Sequence, residues 1–340
     1  IIFNKISTGA LSDLEKVTKQ ARAMVTVYGL NDEVGNITYY DSSGNDAFVK
    51  PYSEETAKTI DKEISKMIEA QYQRAIELLG DAYGHQKKWD NAIEQYKKLT
   101  QLEVNNANYN YKYGGALGMK VLSVSKIKAL GIIGDVKKAF LKAAELDPKH
   151  IETRWALVEL YMSLPGIIGG SKKKSLKYAN QLEILSKVDG YLAKGYIYEY
   201  DDEPELAEKY YKKAIMVGGS VNCFEKLANL YESNNQPEKA IKTIEASQEK
   251  HNRNALYYQL GKVSADYNVQ LEKGERCLLQ YIKNYTAADG VPKEWAFYRL
   301  AQIYKHKKDN QKALTYIDKA LSIRSDFKQA LKEKVIISKN

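Results

Sequence analysis

Residues 300–321 read LAQIYKHKKDNQKALTYIDKAL, and this stretch decides the fold. A small residue, Ala301, stands three positions before an aromatic one, Tyr304, and a second small residue, Ala313, stands twelve after the first. Apolar positions recur at helical spacing on both sides of Lys308-Asp309-Asn310, so the stretch predicts two amphipathic helices around a tight turn. The same spacing returns at Gly80/Tyr83/Ala92 in LGDAYGHQKKWDNAIEQYKKL (79–99), at Gly195/Tyr198/Ala207 and at Ala228/Tyr231/Ala240. Turn signals again divide the pairs, at Asp202-Glu203-Pro204 and Asn234-Asn235-Gln236-Pro237. Three looser copies, Gly114/Leu117/Val136, Val158/Tyr161/Ser175 and Gly261/Ser264/Gly274, carry the second small residue ten, five and one positions late. The seven anchors 80, 114, 158, 195, 228, 261 and 301 lie 33 to 44 residues apart.

A period near 34 with two helices per unit resembles the tetratricopeptide repeat. The resemblance covers about three quarters of the chain. It implies an all-α fold, a tetratricopeptide-type α-solenoid in which helix pairs stack into a right-handed superhelix. About seven repeats occupy 73–327, and a capping helix occupies 326–340, with Phe327, Ala330, Leu331, Val335 and Ile336 on its apolar side. Anchor aromatics that fill the space between stacked units account for much of the 27 tyrosines.

Two insertions interrupt the pattern. GMKVLSVSKIKALGIIG (118–134) lengthens the helices of the second unit or adds one. SLPGIIGGSKKKS (163–175) separates the helices of the third. Gly166, Gly169, Gly170, Ser171 and Lys172 look superficially like a phosphate loop, but the Walker spacing fails and no strand precedes them, so an interhelix loop is expected. An anion at the next helix N-terminus is the alternative.

Charged residues make up 28% of the chain and the mean hydropathy is −0.52, which with the lack of a long apolar run excludes a membrane-spanning helix. Cys223 and Cys277 read as reduced thiols of a cytoplasmic protein, and Ile1-Ile2-Phe3 shows no signal-peptide pattern. Residues 1–79 carry a net charge of −3 and residues 80–340 a net charge of +12. The lysines alternate with Glu and Asp along the helices, so a solvated helix face is expected and nucleic acid is an unlikely partner.

Before residue 79 the period is lost. Residues 9–28 predict an amphipathic helix with Leu11, Leu14, Val17, Ala21, Met24, Val25 and Tyr28 on one side. NITYY (36–40) and AFVK (47–50) look strand-like. Ser53 then caps a helix whose stripe, Ala57, Ile60, Ile64, Met67, Ile68, Tyr72, Ala75, Ile76 and Leu79, runs without a break into the first repeat. FNKISTGALSDLEKVTKQARAMVTVYGL (3–30) and PYSEETAKTIDKEISKMIEAQYQRAIELL (51–79) resemble the C-terminal part of the FtsH-type ATP-dependent zinc metallopeptidase, with Val17 where that family has alanine. The resemblance maps the family's third zinc ligand onto Asp13. The chain has no H-E-x-x-H and no phosphate-binding motor, and His85, His150, His251 and His306 are scattered through the repeats. Asp13 is therefore expected to be an exposed helix residue, residues 1–79 an inactive peptidase fragment, and the chain free of cofactors; zinc and ATP belong to the complete peptidase. Residues 1–52 are expected to be poorly ordered without the rest of that domain, with docking on the repeats as the alternative. The two resemblances meet within RAIELLGDAYG (74–84), as in a natural fusion or an assembly error of the coding sequence.

The tetratricopeptide resemblance implies a noncatalytic scaffold that binds a peptide or partner helix in a concave groove lined by the first helix of each pair. Positions two to three before and one to five after each anchor face it: Tyr111, Trp155, Glu159, Tyr196, Tyr200, Asn229, Tyr258, Lys262, Tyr298, Gln302 and Lys305. The Lys/Asn clamp of chaperone-binding members is not evident.

Overall fold

The computed structural model describes residues 11–39 and 51–339. Helices α1 (Leu11–Thr26) and α2 (Glu54–His85) open the chain. The pairs follow: α2 with α3 (Trp89–Leu102), α4 (Ala107–Ser123) with α5 (Lys126–Leu146), α6 (Ile151–Ser163) with α7 (Lys172–Leu185), and α8 (Lys187–Tyr200) with α9 (Pro204–Val217). Then come α10 (Val221–Ser233) with α11 (Pro237–His251), α12 (Asn254–Tyr267) with α13 (Leu271–Lys283), α14 (Lys293–His306) with α15 (Asn310–Ile323), and α16 (Lys328–Ser338). The chain is an all-α solenoid of the tetratricopeptide type. It divides into two compact units, residues 1–150 and 151–340. No strand and no helix long and apolar enough to cross a membrane occurs among the described residues.

Each anchor sits where the two helices of a pair cross. A Cβ on Gly80 would stand 2.7 Å from the Tyr96 ring, and one on Gly114 2.8 Å from Phe140. Gly195 meets Tyr211 and Gly261 meets Leu278 in the same way. Where the anchor is alanine, the facing position holds Ile244 or Ile317; where it is Val158, the facing position is Ala179. Small and large residues thus compensate across each crossing, as dense packing demands. The turns repeat as well. The carbonyls of Tyr83, Tyr198, Tyr231 and Tyr304 accept from the N–H five residues on, at 2.8–2.9 Å, closing each first helix. The left-handed residue this turn requires is Lys87, Asp202, Asn235, Asn268 or Lys308, at φ between 54° and 60°.

The lysines are not merely solvated. They reach carboxylates about one repeat away in sequence: Lys112 to Asp81 (2.9 Å), Lys262 to Glu232 (2.9 Å), Lys273 to Glu245 (2.7 Å), Lys307 to Glu275 (2.7 Å) and Lys305 to Glu333 (2.6 Å). Each exposed pair contributes at most about 1 kcal/mol, so together they favour the stacking register more than they add stability. Burial alone would raise the Asp81 carboxyl, but hydrogen bonds from Lys112 and from Tyr96 (2.5 Å) hold it below the usual carboxylate range. A carboxylate depressed in the folded state stabilises above its unfolded value, and that contribution is lost as the pH falls through the folded value. Asp81→Asn should therefore cost about 1 kcal/mol at neutral pH, discounted for partial exposure, and nothing in strong acid. Urea titrations near neutrality and well below the carboxylate range check this; an equal loss at both would count against it.

The N-terminal segment departs furthest from the expected structure. Helix α1 forms and packs on α2 rather than on the repeats, through Ala21 and Val25 against Ile60 and Ile64. The expected disorder is thus not met over residues 11–39. Of the expected α1 stripe, only those two side chains are buried; Leu11, Leu14, Val17, Met24 and Tyr28 face solvent. Residues 36–39 are irregular, not strand, while Tyr40 and AFVK lie outside the described residues. Asn31 folds the loop over Glu63, donating to its carboxylate at 3.1 Å and holding it below the usual range. Ser53 caps α2 by accepting from Thr56 N, and α2 runs unbroken into the first repeat. The first insertion lengthens α4 and α5 without adding a helix. In α16 the buried residues are Ala330 and Ile337, with Phe327 just ahead of the helix, while Leu331, Val335 and Ile336 are exposed.

Candidate partner-binding face

In residues 151–340 the first helices α6, α8 and α10 pack in sequence beside one another and carry Trp155, Glu159, Tyr196, Tyr200 and Asn229 of the expected site residues. Glu159 on α6 is open to water yet hemmed in by protein, and this burial raises its carboxyl above the usual range, against the opposing charge of Lys226. Tyr196 on α8 feels the neighbouring α6: burial first and Glu159 second push its hydroxyl up to about 12. Its ring lies 6.0 Å from that of Tyr200, which is 53% exposed. Glu159, Tyr196 and Tyr200 thus lie together, an acid beside two aromatic groups, and Asn229 is exposed on the next first helix, α10.

The remaining expected residues do other work. Trp155 is half-buried and donates its indole N–H to Asp189 at 2.9 Å. Lys262 and Lys305 are held by Glu232 and Glu333. Gln302 accepts from Arg299 at 2.8 Å. Tyr258 and Tyr298 correct the expectation of groove exposure: both are buried, Tyr258 against Tyr281 (5.4 Å) and Tyr298 against Phe327 (5.5 Å). An aromatic at these positions seals the joint between repeats before it can serve a ligand. Tyr111, in the other unit, is half-buried beside Phe140 and His150.

Between α10 and α12, over α11, a cavity of about 150 Å³ opens. Val221, Phe224, Ile244 and Leu256 supply its apolar wall, and Glu225, Asn229, Arg253 and Gln259 its polar rim. Ser247 lines it, only 1% exposed, and its hydroxyl has no partner among the described residues. An unpaired buried hydroxyl costs roughly 1–3 kcal/mol. The sequence reading found Asn229 and missed the others. Glu225 and Gln259 stand at positions two to three before an anchor, within the same spacing rule, but were not among the residues named from it.

The glycine-rich insertion is an interhelix loop between α6 and α7, as expected. Gly166–Ile168 form a short 3-10 turn, Ser171 caps α7 by accepting from Lys174 N, and Lys172 is engaged by Asp201 (2.5 Å) and Glu203. Asp13 lies exposed in the first turn of α1. No group of three His, Cys, Asp or Glu able to hold a metal ion occurs among the described residues. His251 and His306 instead bond backbone carbonyls, at 2.8 and 2.9 Å.

The tetratricopeptide repeat profile matches residues 188–217 and 296–327, the α8–α9 and α14–α15 pairs. The chain thus carries tetratricopeptide repeats. Peptidase family M41 matches residues 1–106, so a segment like the C-terminal part of the FtsH-type zinc metallopeptidase is joined to them, and the match extends through α3. The ATP-dependent zinc metalloprotease FtsH of Parabacteroides distasonis is 55% identical over 89 residues, 26% of this chain. That of Karelsulcia muelleri is 49% identical over 106 residues, 31% of this chain. The chain spans only 13% and 16% of the length of these relatives. Among solved structures, a tetratricopeptide repeat protein from Parabacteroides merdae covers 79% of this chain and is itself covered to 99%, at 14% identity and a TM-score of 0.46. The C-terminal part of a repeat protein from Cytophaga hutchinsonii covers 75% and is covered to 97%, at 16% identity and a TM-score of 0.46.

Proposed function

We propose that this chain is a noncatalytic protein-interaction scaffold, and that a peptide or helix of its partner lies along the first-helix face of residues 151–340. The cavity between α10 and α12 carries the reading. Its size suits one aliphatic side chain, its rim offers amides and both charge signs to a peptide backbone, and Ser247 offers an unused hydroxyl. Tyr196 and Tyr200 extend the same surface with large, stiff aromatic area, the kind that dominates binding energy. Peptides selected from a random display library against the whole chain supply the probe. Ala255→Trp, which fills the cavity from its rim, should weaken the selected peptides at least about tenfold. Lys242→Ala, on the second helix α11, should leave them unchanged. Equal loss in both variants, or none in Ala255→Trp, would overturn the placement.

The second reading, a part in ATP-dependent zinc proteolysis, rests on the 55% identity of the N-terminal segment. In our reading this chain alone is inactive there, because Asp13 would be one carboxylate where a catalytic zinc needs three protein ligands. Zinc-dependent hydrolysis of a fluorescent casein by the purified chain, abolished by Asp13→Ala, would reverse that assignment.

A further inference from the structure

The α4–α5 hairpin reaches beyond its neighbours. The other first helices end five or six residues after their anchors; α4 ends nine after Gly114. The other second helices begin three residues before their small residue; α5 begins ten before Val136. Four and seven extra residues project the tip by about 6–10 Å. Lys120 is paired with Asp90 in the first turn of α3, which marks the level of the preceding interhelix turn. Residues 121–131 lie outward of that pair. There Leu122 is 79% and Ile127 84% exposed, and Leu130 and Met119 are exposed beside them. Residues 104–134 contain no Asp or Glu, in a chain with 43 of them, and the tip carries the exposed Lys126 and Lys128. Neither lysine makes an ion pair with a described residue. Gly131 and Gly134 have nothing within 4 Å of an added Cβ, so no described residue covers α5 at these two positions.

We propose that this tip is an anionic-membrane contact, with Leu122, Ile127 and Leu130 entering the headgroup boundary and Lys126 and Lys128 meeting acidic lipid. This goes beyond the scaffold reading and uses none of its residues. A protruding tip needs no complementary cavity when its counterpart is a fluid surface. Large aliphatic side chains beside lysines, with no acid among them, match the two attractions an anionic interface offers.

The test is co-flotation of the whole chain with phosphatidylcholine vesicles, plain or containing roughly one-third phosphatidylserine. Binding is expected only to the anionic vesicles and should weaken with salt. Ile127→Asp should abolish it, and Lys126→Glu with Lys128→Glu should reduce it at least about tenfold. Both variants change exposed residues, so circular dichroism and melting should match the parent, and selected peptides should still bind. No flotation, equal flotation on neutral vesicles, or flotation kept in Ile127→Asp would overturn the proposal. So would a dimer that Ile127→Asp dissolves in a chain that ignores vesicles, which would make a second copy the occupant.

Discussion

Gly190→Ala should unfold this array at a markedly lower temperature, by about 6–10 °C for a cost near 3 kcal/mol. Gly190 lies buried in the first turn of α8, where an added Cβ would strike the backbone of Glu183 on α7. Relief by a side-chain rotation is closed, because the obstructing atoms include main chain. Relief by sliding is closed too: α7 ends at Leu185, α8 begins at Lys187, and Ser186 alone serves as the last cap of one and the first cap of the other. Its hydroxyl accepts from Asp189 N at 3.3 Å and donates to the Asp189 carboxylate at 2.6 Å, so the junction has no slack. Thermal melts followed by circular dichroism read the result. A variant within about 2 °C of the parent would show that α7 and α8 separate more easily than this junction implies.

The second large effect is a pair. Gly195→Ala alone places a methyl against the buried Tyr211 ring and should cost about 2–3 kcal/mol. Gly195→Ala with Tyr211→Ile recreates the alanine–isoleucine combination of the crossings at Ala228 and Ala301, and should recover more than half of the loss. Full recovery is not expected, since Tyr211 donates to Glu199 at 2.6 Å and isoleucine cannot. A double-mutant cycle by urea unfolding measures the coupling. Additive losses would mean that the two positions do not share one space.

The anchors were legible because a steric requirement repeats. A helix crossing that admits one large residue needs a small one opposite, and the same spacing therefore returns in each unit. The expectation failed where tertiary contacts overrule local type. NITYY has the aromatic and β-branched composition of a strand, yet Thr26 and Asn31 tie the loop back onto α1 and α2, with Tyr39 N bonded to Thr26 O at 2.7 Å. Tyr258 and Tyr298 stand at groove positions in the repeat, but burying an aromatic between units gains more than leaving it for a ligand. The cavity beside Ser247 has no sequence signal of its own. It arises from how α10 and α12 lie over α11, which depends on every residue between them. Glu159 was legible, because its place in the repeat puts it on the first-helix face whatever its neighbours are.

Helix α2 does two jobs along one axis. Ile60 and Ile64 seat α1, while Ile76 and Gly80 seat the first repeat, and 32 residues run between its ends without a break. Angular phase is therefore conserved along the rod. Deleting one residue between Ile64 and Ile76 would turn one seat about 100° away from the other, carrying α1 around the rod to a different side of the first repeat. An insertion of seven returns the two seats to within about 20°. The helical phase of sequences joined at this point, not merely their composition, sets the side of the first repeat on which α1 stands, and length changes of whole pairs of turns restore it.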